Sequence, residues 1–429
     1  MESSDVVYLL LPFVLTLVLG APICAALSLG TIVFMLVTKA IPCSMMTMQM
    51  FSQVSSLPLM AIPFFVFAGD LMNETGVSQR LIGFCKVLFQ HLRGGLAYAI
   101  VVTGTLFAGL TGSAVAETAA LVKIMTPTMK REGYPAEFTA ALCATTGILG
   151  PIIPPSILFI VYGATMNVSV GALFLGGVFP GLLMGGAILV TVVIIASIKR
   201  FPKSEQRFRI REVAAGIKDA SFSLFMPVLL MGGIRFGIFT PTEGGAVAAS
   251  YALFLGVFVY RTVTLKQIFH SAVSSGVTAA VILLIVSATT PFGWIVTIGG
   301  FPAKIAEIAF SMTRDPLVIL LGINILLFFM GMFMETTATV LLLGPVLAPI
   351  AAGVGIDPVH FAMIMCVNLV IGMITPPVGM TLFVAAPIAG ISFGLIVRAV
   401  VPFAISVILS LVLINVFPSI TLWLPSVLK

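Results

Sequence analysis

Charge is what this chain has least of. Asp, Glu, Lys and Arg make up 8% of 429 residues, whereas hydrophobic residues make up 60%. Soluble domains carry roughly 25% charge, so too few charges are present here to cover a water-facing surface. A mean hydropathy of +1.21 points the same way. The apolar residues come in long continuous runs, not in the alternation that an outer-membrane barrel needs. What remains is an all-α polytopic membrane protein crossing a lipid bilayer. Histidine is scarce: His91, His270 and His360 stand apart. No HExxH or GxxxxGK occurs, so neither an enzyme nor a chain hydrolysing its own ATP is expected. The five cysteines are widely spaced and form no metal or redox pattern, so no cofactor is expected. The net charge of +6 comes from scattered basic residues. These are read as orienting helices by the positive-inside rule and not as a nucleic-acid surface. The N-terminus is acidic before its apolar run, which predicts no cleaved signal peptide.

What the chain does have is a long internal echo. Residues 106–157 contain GLTGSAVAET and GPIIPPS, and from Leu327 the chain runs through METTAT to IGMITPPVGM. Glu117-Thr118 matches Glu335-Thr336, Pro135 with Phe138 matches Pro358 with Phe361, and Pro154-Pro155 matches Pro376-Pro377. Two structural halves are expected. In a membrane chain, paired apolar segments broken by Gly and Pro point to a substrate or ion site between the halves. The first half is assigned to residues 1–198, with hairpin and transport elements at about 106–165. A basic cytoplasmic linker follows at 199–214. The second half covers 215–429, with its elements at about 327–390.

Taken in order, residues 6–38 predict two helices meeting at Gly20-Ala21-Pro22, because one helix would outrun a hydrocarbon core of about 30 Å. Residues 78–92 predict an amphipathic interfacial segment, and 301–310 a second one. Spanning helices are expected at 171–197, 268–290, 316–334 and 395–415, within a total of about ten to twelve. Residues 199–212 hold six basic residues and two acids, the strongest cytoplasmic marker. An odd number of crossings per half would invert the second copy. The basic turn at Lys130-Arg131 and the acidic one at Asp357 are compatible with that.

The small residues at 111–114 have two readings. Either they let helices approach closely, or the backbone is irregular, so that its carbonyls and hydroxyls ligate a hard cation such as Na⁺ and its amides receive an anion. Prolines 151, 154 and 155 remove donors and break a helix, as do Pro376 and Pro377 near Gly372, Thr375 and Gly379. Each break is read as a re-entrant hairpin whose half-helix ends attract ions, with Pro-kinked helices as the alternative. Glu117 and Glu335 are read as capping or scaffold acids first and as ion or proton carriers second. Asn368 is a polar contact to ion or substrate, or interhelical glue. Glu243 follows Pro241 in a first helical turn, with Arg235 close enough in sequence to pair with it.

With SLPLMAIPFFVFAGDLM at 56–72, GLTGSAVAETAA at 109–120, GPIIPPS at 150–156, GIFTPTEGGAVA at 237–248 and IGMITPPVGM at 371–380, nearly the whole chain resembles the large membrane (permease) subunit of the tripartite ATP-independent periplasmic (TRAP) transporters. The resemblance implies two inverted repeats, each with a re-entrant helical hairpin, in an elevator-type fold similar to the ion transporter superfamily. It implies a bacterial or archaeal inner-membrane location. It also implies a separate small subunit of about four helices, a periplasmic substrate-binding protein, and Na⁺-driven import of a small carboxylate of the sialic acid or C4-dicarboxylate type. The Na⁺ contacts it suggests are Thr111, Gly112, Ser113, Gly150 and Pro151 in the first half. In the second half they are Met334, Thr336, Thr337, Ile374 and Thr375. Glu117, Pro154, Pro155, Glu335, Asn368, Pro376, Pro377 and Gly379 would contact substrate or shape the hairpins, and Arg235 and Glu243 would belong to the scaffold. Proton coupling, or a scaffold or receptor role without transport chemistry, are the alternatives.

Overall fold

The computed structural model describes residues 7–39, 42–201 and 210–428, and every regular element among them is helical. The first half opens with α1 (Val7–Val18) and α2 (Ile23–Thr38), separated at Gly20-Ala21-Pro22 as the sequence predicts. Next come α3 (Cys43–Val54), a tight turn at Leu57–Met60 that leads into α4 (Ala61–Glu74), and the amphipathic α5 (Val77–Phe89). Five helices follow: α6 (Gly95–Thr111), α7 (Ala114–Arg131), α8 (Ala136–Gly147), α9 (Ile157–Met166) and α10 (Val170–Ile198). Of the expected basic linker, residues 202–209 lie outside the described residues. The second half begins earlier than its expected start at 215, with α11 (Ile210–Arg235), whose first turn takes up the end of the expected linker. Then come α12 (Pro241–Phe254), α13 (Leu265–Ile298), α14 (Phe301–Met312), α15 (Pro316–Phe333), α16 (Thr336–Gly353), α17 (Pro358–Gly372), α18 (Met380–Ala389), α19 (Phe393–Val416) and α20 (Ser419–Val427).

A constant offset of 222 relates the two halves. Added to the bounds of α7, 114 and 131, it gives 336 and 353, the bounds of α16. It also carries α6, α8, α9 and α10 onto α15, α17, α18 and α19 to within a few residues at each end. The packing repeats as well. α16 lies on α9, and α18 on α7, so each half's second hairpin helix meets the other half's last short helix. Likewise α19 lies on α8 and α10 on α17.

This pattern corrects one expectation. The stretches 106–165 and 327–390 each hold two devices, not one hairpin broken at Pro-Pro. First comes a helical hairpin, α6–α7 or α15–α16, which begins upstream at Gly95 or Pro316 and turns within two residues. A discontinuous helix follows, α8/α9 or α17/α18, and the Pro-Pro pair lies in its break. Both Pro-Pro bonds are cis.

Eight segments of the described residues are long and apolar enough to cross a membrane. That is fewer than the expected ten to twelve, because α1 and α2, which pack against each other, and the discontinuous pairs α8/α9 and α17/α18 are made of pieces below spanning length. Long helices turn apolar side chains outward. Leu321, Ile325 and Phe329 of α15 are all exposed, as lipid requires. The short helices do the opposite. Residues 138–147 of α8 and 360–372 of α17 are buried all round, the mark of a core helix. Outside this core, α5 is tied down by Arg80, which pairs with Asp219 of α11 and stacks 4.1 Å over the Tyr260 ring.

Close backbone approach in the core depends on glycine. A Cβ on Gly372 would lie 2.4 Å from the carbonyl carbon of Gly331, where α17 crosses α15, whereas one on Gly322 would meet nothing within 4 Å. Gly372→Ala should therefore destabilise the protein by about 1–3 kcal/mol through overpacking, and Gly322→Ala should leave it unchanged or slightly more stable. Thermal unfolding of the two detergent-purified variants, side by side, measures the difference.

Candidate functional site

Each hairpin turns where one helix ends in carbonyls and the next begins in amides, and such ends need partners. In the first hairpin, Gly112 adopts φ +60° and closes α6, its N–H donating to the Ala108 carbonyl at 3.3 Å. Ser113 then caps α7, its Oγ accepting from the Ala116 N–H at 3.4 Å. In the second hairpin, Met334 is extended and Glu335 is the cap of α16. Its Oε2 accepts from the Ala338 N–H at 2.9 Å, and its Oε1 accepts from the hydroxyls of Thr337 at 2.9 Å and Thr336 at 3.1 Å. A hydroxyl thus caps one tip and a carboxylate the other.

The caps also correct the pairing of Glu117 with Glu335. At the offset of 222, Glu335 is the counterpart of Ser113, and Glu117 lies one turn further into its helix. Glu117 is wholly buried, between α6 and the first Pro-Pro break. A Cβ on Gly150 would lie 2.7 Å from its Oε2, and one on Gly104 would lie 3.1 Å from its Oε1. Gly147 makes the same room for Thr118, whose Oγ1 would lie 2.1 Å from an added Cβ. Glycine at these positions lets the first turn of α7 seat against the break.

The two breaks share an arrangement. In the first, Ser156 donates its hydroxyl to the Pro151 carbonyl and caps α9, accepting from the Phe159 N–H at 3.2 Å. In the second, the hydroxyl and N–H of Thr381 both reach the Met373 carbonyl, at 2.9 and 3.1 Å. Pro151 and Met373 are counterparts at the same offset. Gly379, at φ +61°, starts α18.

Tips and breaks converge on one cavity of about 460 Å³. Gly112 and Ser113 of one tip line it, with Glu335, Thr336 and Thr337 of the other, and Pro151 and Met373 of the breaks. Its opposite wall is built by α4 and α13, which present Asp70, Asn73 and Thr278 among apolar residues. Among the described residues, no Lys, Arg or His lines it. Hydroxyl and carboxylate oxygens suit a hard cation, and the N-termini of α7 and α16 suit an anion.

Of the residues expected to hold the ion, Gly112, Ser113, Pro151, Thr336 and Thr337 therefore face a common space. Gly150 and Ile374 are buried behind it, and Met334 adjoins it at the end of α15. The Thr375 hydroxyl donates to the Ile371 carbonyl at 2.9 Å. The side chain of Thr111 lies outside the described residues. Pro154, Pro155, Pro376 and Pro377 form the breaks themselves. Asn368 does not line the cavity. Its Nδ2 donates to the Asn324 carbonyl and side-chain oxygens at 3.0 and 2.7 Å, and the Asn324 Nδ2 donates to Asn415 Oδ1 at 2.8 Å. This amide chain ties α17 to α15 and α19. The expected contact between Arg235 and Glu243 is not what holds the acid. Thr240 holds the Glu243 carboxylate through a capping box, with its N–H at 2.7 Å and its hydroxyl at 2.9 Å. Asp70, Asn73, Thr278 and Met373 were not singled out from sequence. Asp70 carried a usable signal, as an acid inside an apolar helix.

Paired hairpins and paired discontinuous helices around one cavity, in a chain of exposed apolar helices, define a membrane transport protein of the broken-helix type. The chain belongs to the family described as "Tripartite ATP-independent periplasmic transporter, DctM component", whose profile matches residues 10–420. It is 39% identical over 409 residues to the sialic acid TRAP transporter large permease protein SiaM of Vibrio cholerae, covering 95% of each chain. It is also 39% identical over 381 residues to the C4-dicarboxylate TRAP transporter large permease protein DctM of Pseudomonas aeruginosa, covering 89% of each. The 2,3-diketo-L-gulonate TRAP transporter large permease protein YiaN of Escherichia coli is 37% identical over 399 residues, with 93% of each covered. Among solved structures, the YdaH transporter of Alcanivorax borkumensis superposes with a TM-score of 0.63 over 86% of both chains. At 14% identity it is similar in fold alone.

Because Glu335 supplies the cap of α16, Glu335→Ala should loosen that helix's first turn by about 0.5–2 kcal/mol. Hydrogen exchange at the Ala338 amide should accelerate accordingly, with the amides near the middle of α16 unchanged.

Proposed function

We infer that this TRAP large permease subunit imports an organic acid across the bacterial or archaeal inner membrane by Na⁺-coupled, binding-protein-dependent secondary transport. The observation that carries the reading is the cavity at which both hairpin tips meet. It offers hydroxyls, carboxylates and two helix N-termini and, among the described residues, no basic side chain. An organic anion there needs a cation to offset the acids, so ion and solute belong to one loaded state. The relatives' names support the solute class, since sialic acid, C4-dicarboxylates and 2,3-diketo-L-gulonate are all carboxylates or their acids.

On this reading α6–α9 and α15–α18 form the moving transport unit, with the second copy inverted relative to the first, and α4 and α11–α13 belong to the fixed scaffold. A small membrane subunit completes that scaffold, and a periplasmic protein delivers the solute. An isethionate permease relative named DctMQ fits such a pairing, because this chain, 40% identical to it, spans 64% of its length. Ion binding at Ser113 and Thr337 would favour the closed, loaded site and oppose movement of a half-filled one.

The test is uptake of labelled N-acetylneuraminate and succinate into proteoliposomes holding the complex, with binding protein outside and an inward Na⁺ gradient imposed or omitted. Uptake should require both. Ser113→Ala and Thr337→Ala should each raise the half-maximal Na⁺ concentration several-fold, as expected for loss of one oxygen ligand. Uptake that follows a proton gradient without Na⁺ would overturn the coupling and turn attention to Glu117 and Glu335.

A further inference from the structure

We propose that Asp70, on the fixed wall of the cavity, enforces the order of loading by excluding the organic anion until the cation is in place. The proposal rests on the Na⁺-coupled reading above and assigns Asp70 a coupling role without placing it in the ion's coordination shell.

Two carboxylates line the cavity, Asp70 and Glu335, and they are held differently. Glu335 spends its oxygens on the α16 N-terminus and on two threonine hydroxyls. Its charge is thus offset by a helix end. Asp70 sits in the C-terminal half of α4, half-buried, with its Oδ2 accepting from the Ser275 hydroxyl of α13 at 2.6 Å. The neighbouring charged group on α4 is Glu74, which adds negative charge and accepts from Gln267 Nε2 at 3.0 Å. From α13 the titratable neighbour is His270, outside the cavity lining. Among the described residues, the lining itself offers no cationic side chain. An anion entering before the cation therefore meets uncompensated negative charge across a narrow space with low-dielectric walls, where such repulsion is strong. Once a cation sits at the tips, the anion has a partner and the barrier falls.

The location matters as much as the charge. The tips at residues 112–113 and 334–335 belong to the hairpins, whereas Asp70 belongs to α4. When the hairpins move, Asp70 stays and acts on the charge of whatever is being carried. Removing its charge should leave ion binding intact and weaken the dependence of solute movement on the ion. This sign is opposite to that expected for a lost Na⁺ ligand, which makes the two roles separable.

The experiment compares uptake of labelled N-acetylneuraminate and succinate across a Na⁺ series in proteoliposomes holding the complex with its binding protein. Asp70→Asn should raise Na⁺-free uptake about fivefold and lower the half-maximal Na⁺ concentration about threefold, as weakened charge repulsion predicts. Thr278→Lys, which adds a positive charge to the same wall while keeping Asp70, should shift both readouts in the same direction. It keeps the question open to test if Asp70→Asn does not fold. Ser275→Ala, which removes the hydrogen bond but not the charge, should behave as wild type. A raised Na⁺ requirement in Asp70→Asn would make Asp70 an ion ligand and overturn the proposal. An unchanged Na⁺ series in both charge variants, or a Ser275→Ala variant reproducing Asp70→Asn, would overturn it as well. Wild-type uptake that ignores Na⁺ would instead overturn the coupling reading on which the proposal stands.

Discussion

A backbone N–H or C=O left without a partner in hydrocarbon costs several kcal/mol, and this chain interrupts its helices four times in its core. Those interruptions create helix ends at residues 111–114, 147–157, 333–336 and 372–380. The rest of the architecture follows from keeping them away from lipid. Ser113 and Glu335 satisfy amides, and Ser156 and Thr381 satisfy carbonyls. Around them α8 and α17 are buried on every side, and the longer helices α10, α15 and α19 turn their exposed apolar side chains outward. Glycine at 147, 150, 331 and 372 allows backbones close enough for protein, not lipid, to cover the breaks.

The same constraint locates the site. Irregular backbone is tolerated at depth only where protein buries it or a polar cavity receives it, and the tips and breaks of both halves meet at such a cavity. The halves are alike in helix length and packing but differ in chemistry. Ser113 places a neutral hydroxyl at one tip, where Glu335 places a carboxylate at the other. The buried acid of the first half, Glu117, lies one turn deeper. The resulting cavity is acidic on both the hairpin side and the α4 side. That character suits joint binding of cation and anion better than capture of an anion alone.

Much of this was legible in the residues. Continuous apolar runs marked α10, α13, α15 and α19, and Gly20-Ala21-Pro22 marked the gap between α1 and α2. The prolines at 154–155 and 376–377 marked the breaks. The errors have physical causes. Pairing Glu117 with Glu335 rested on the Glu-Thr dipeptide. A shift of four residues moves a side chain about one turn along the same helix face, so the inward-facing pattern accepts either register. Treating each Pro-Pro break as the hairpin confused two interruptions that look alike in sequence. Gly112 ends a helix through a left-handed residue, whereas Pro154-Pro155 ends one by removing donors.

The membrane class, the twofold repetition and the places where helices must stop were determined by the sequence alone. Hydrophobicity, missing proline donors and glycine's conformational freedom are properties of residues and their near neighbours. Which broken ends would meet was decided only by the tertiary structure. Folding alone places α16 on α9 and α18 on α7, links Asn368 through Asn324 to Asn415, and sets Asp70 opposite tips more than 40 and 260 residues away. Such meetings depend on packing across the whole chain, and no local run of residues encodes them.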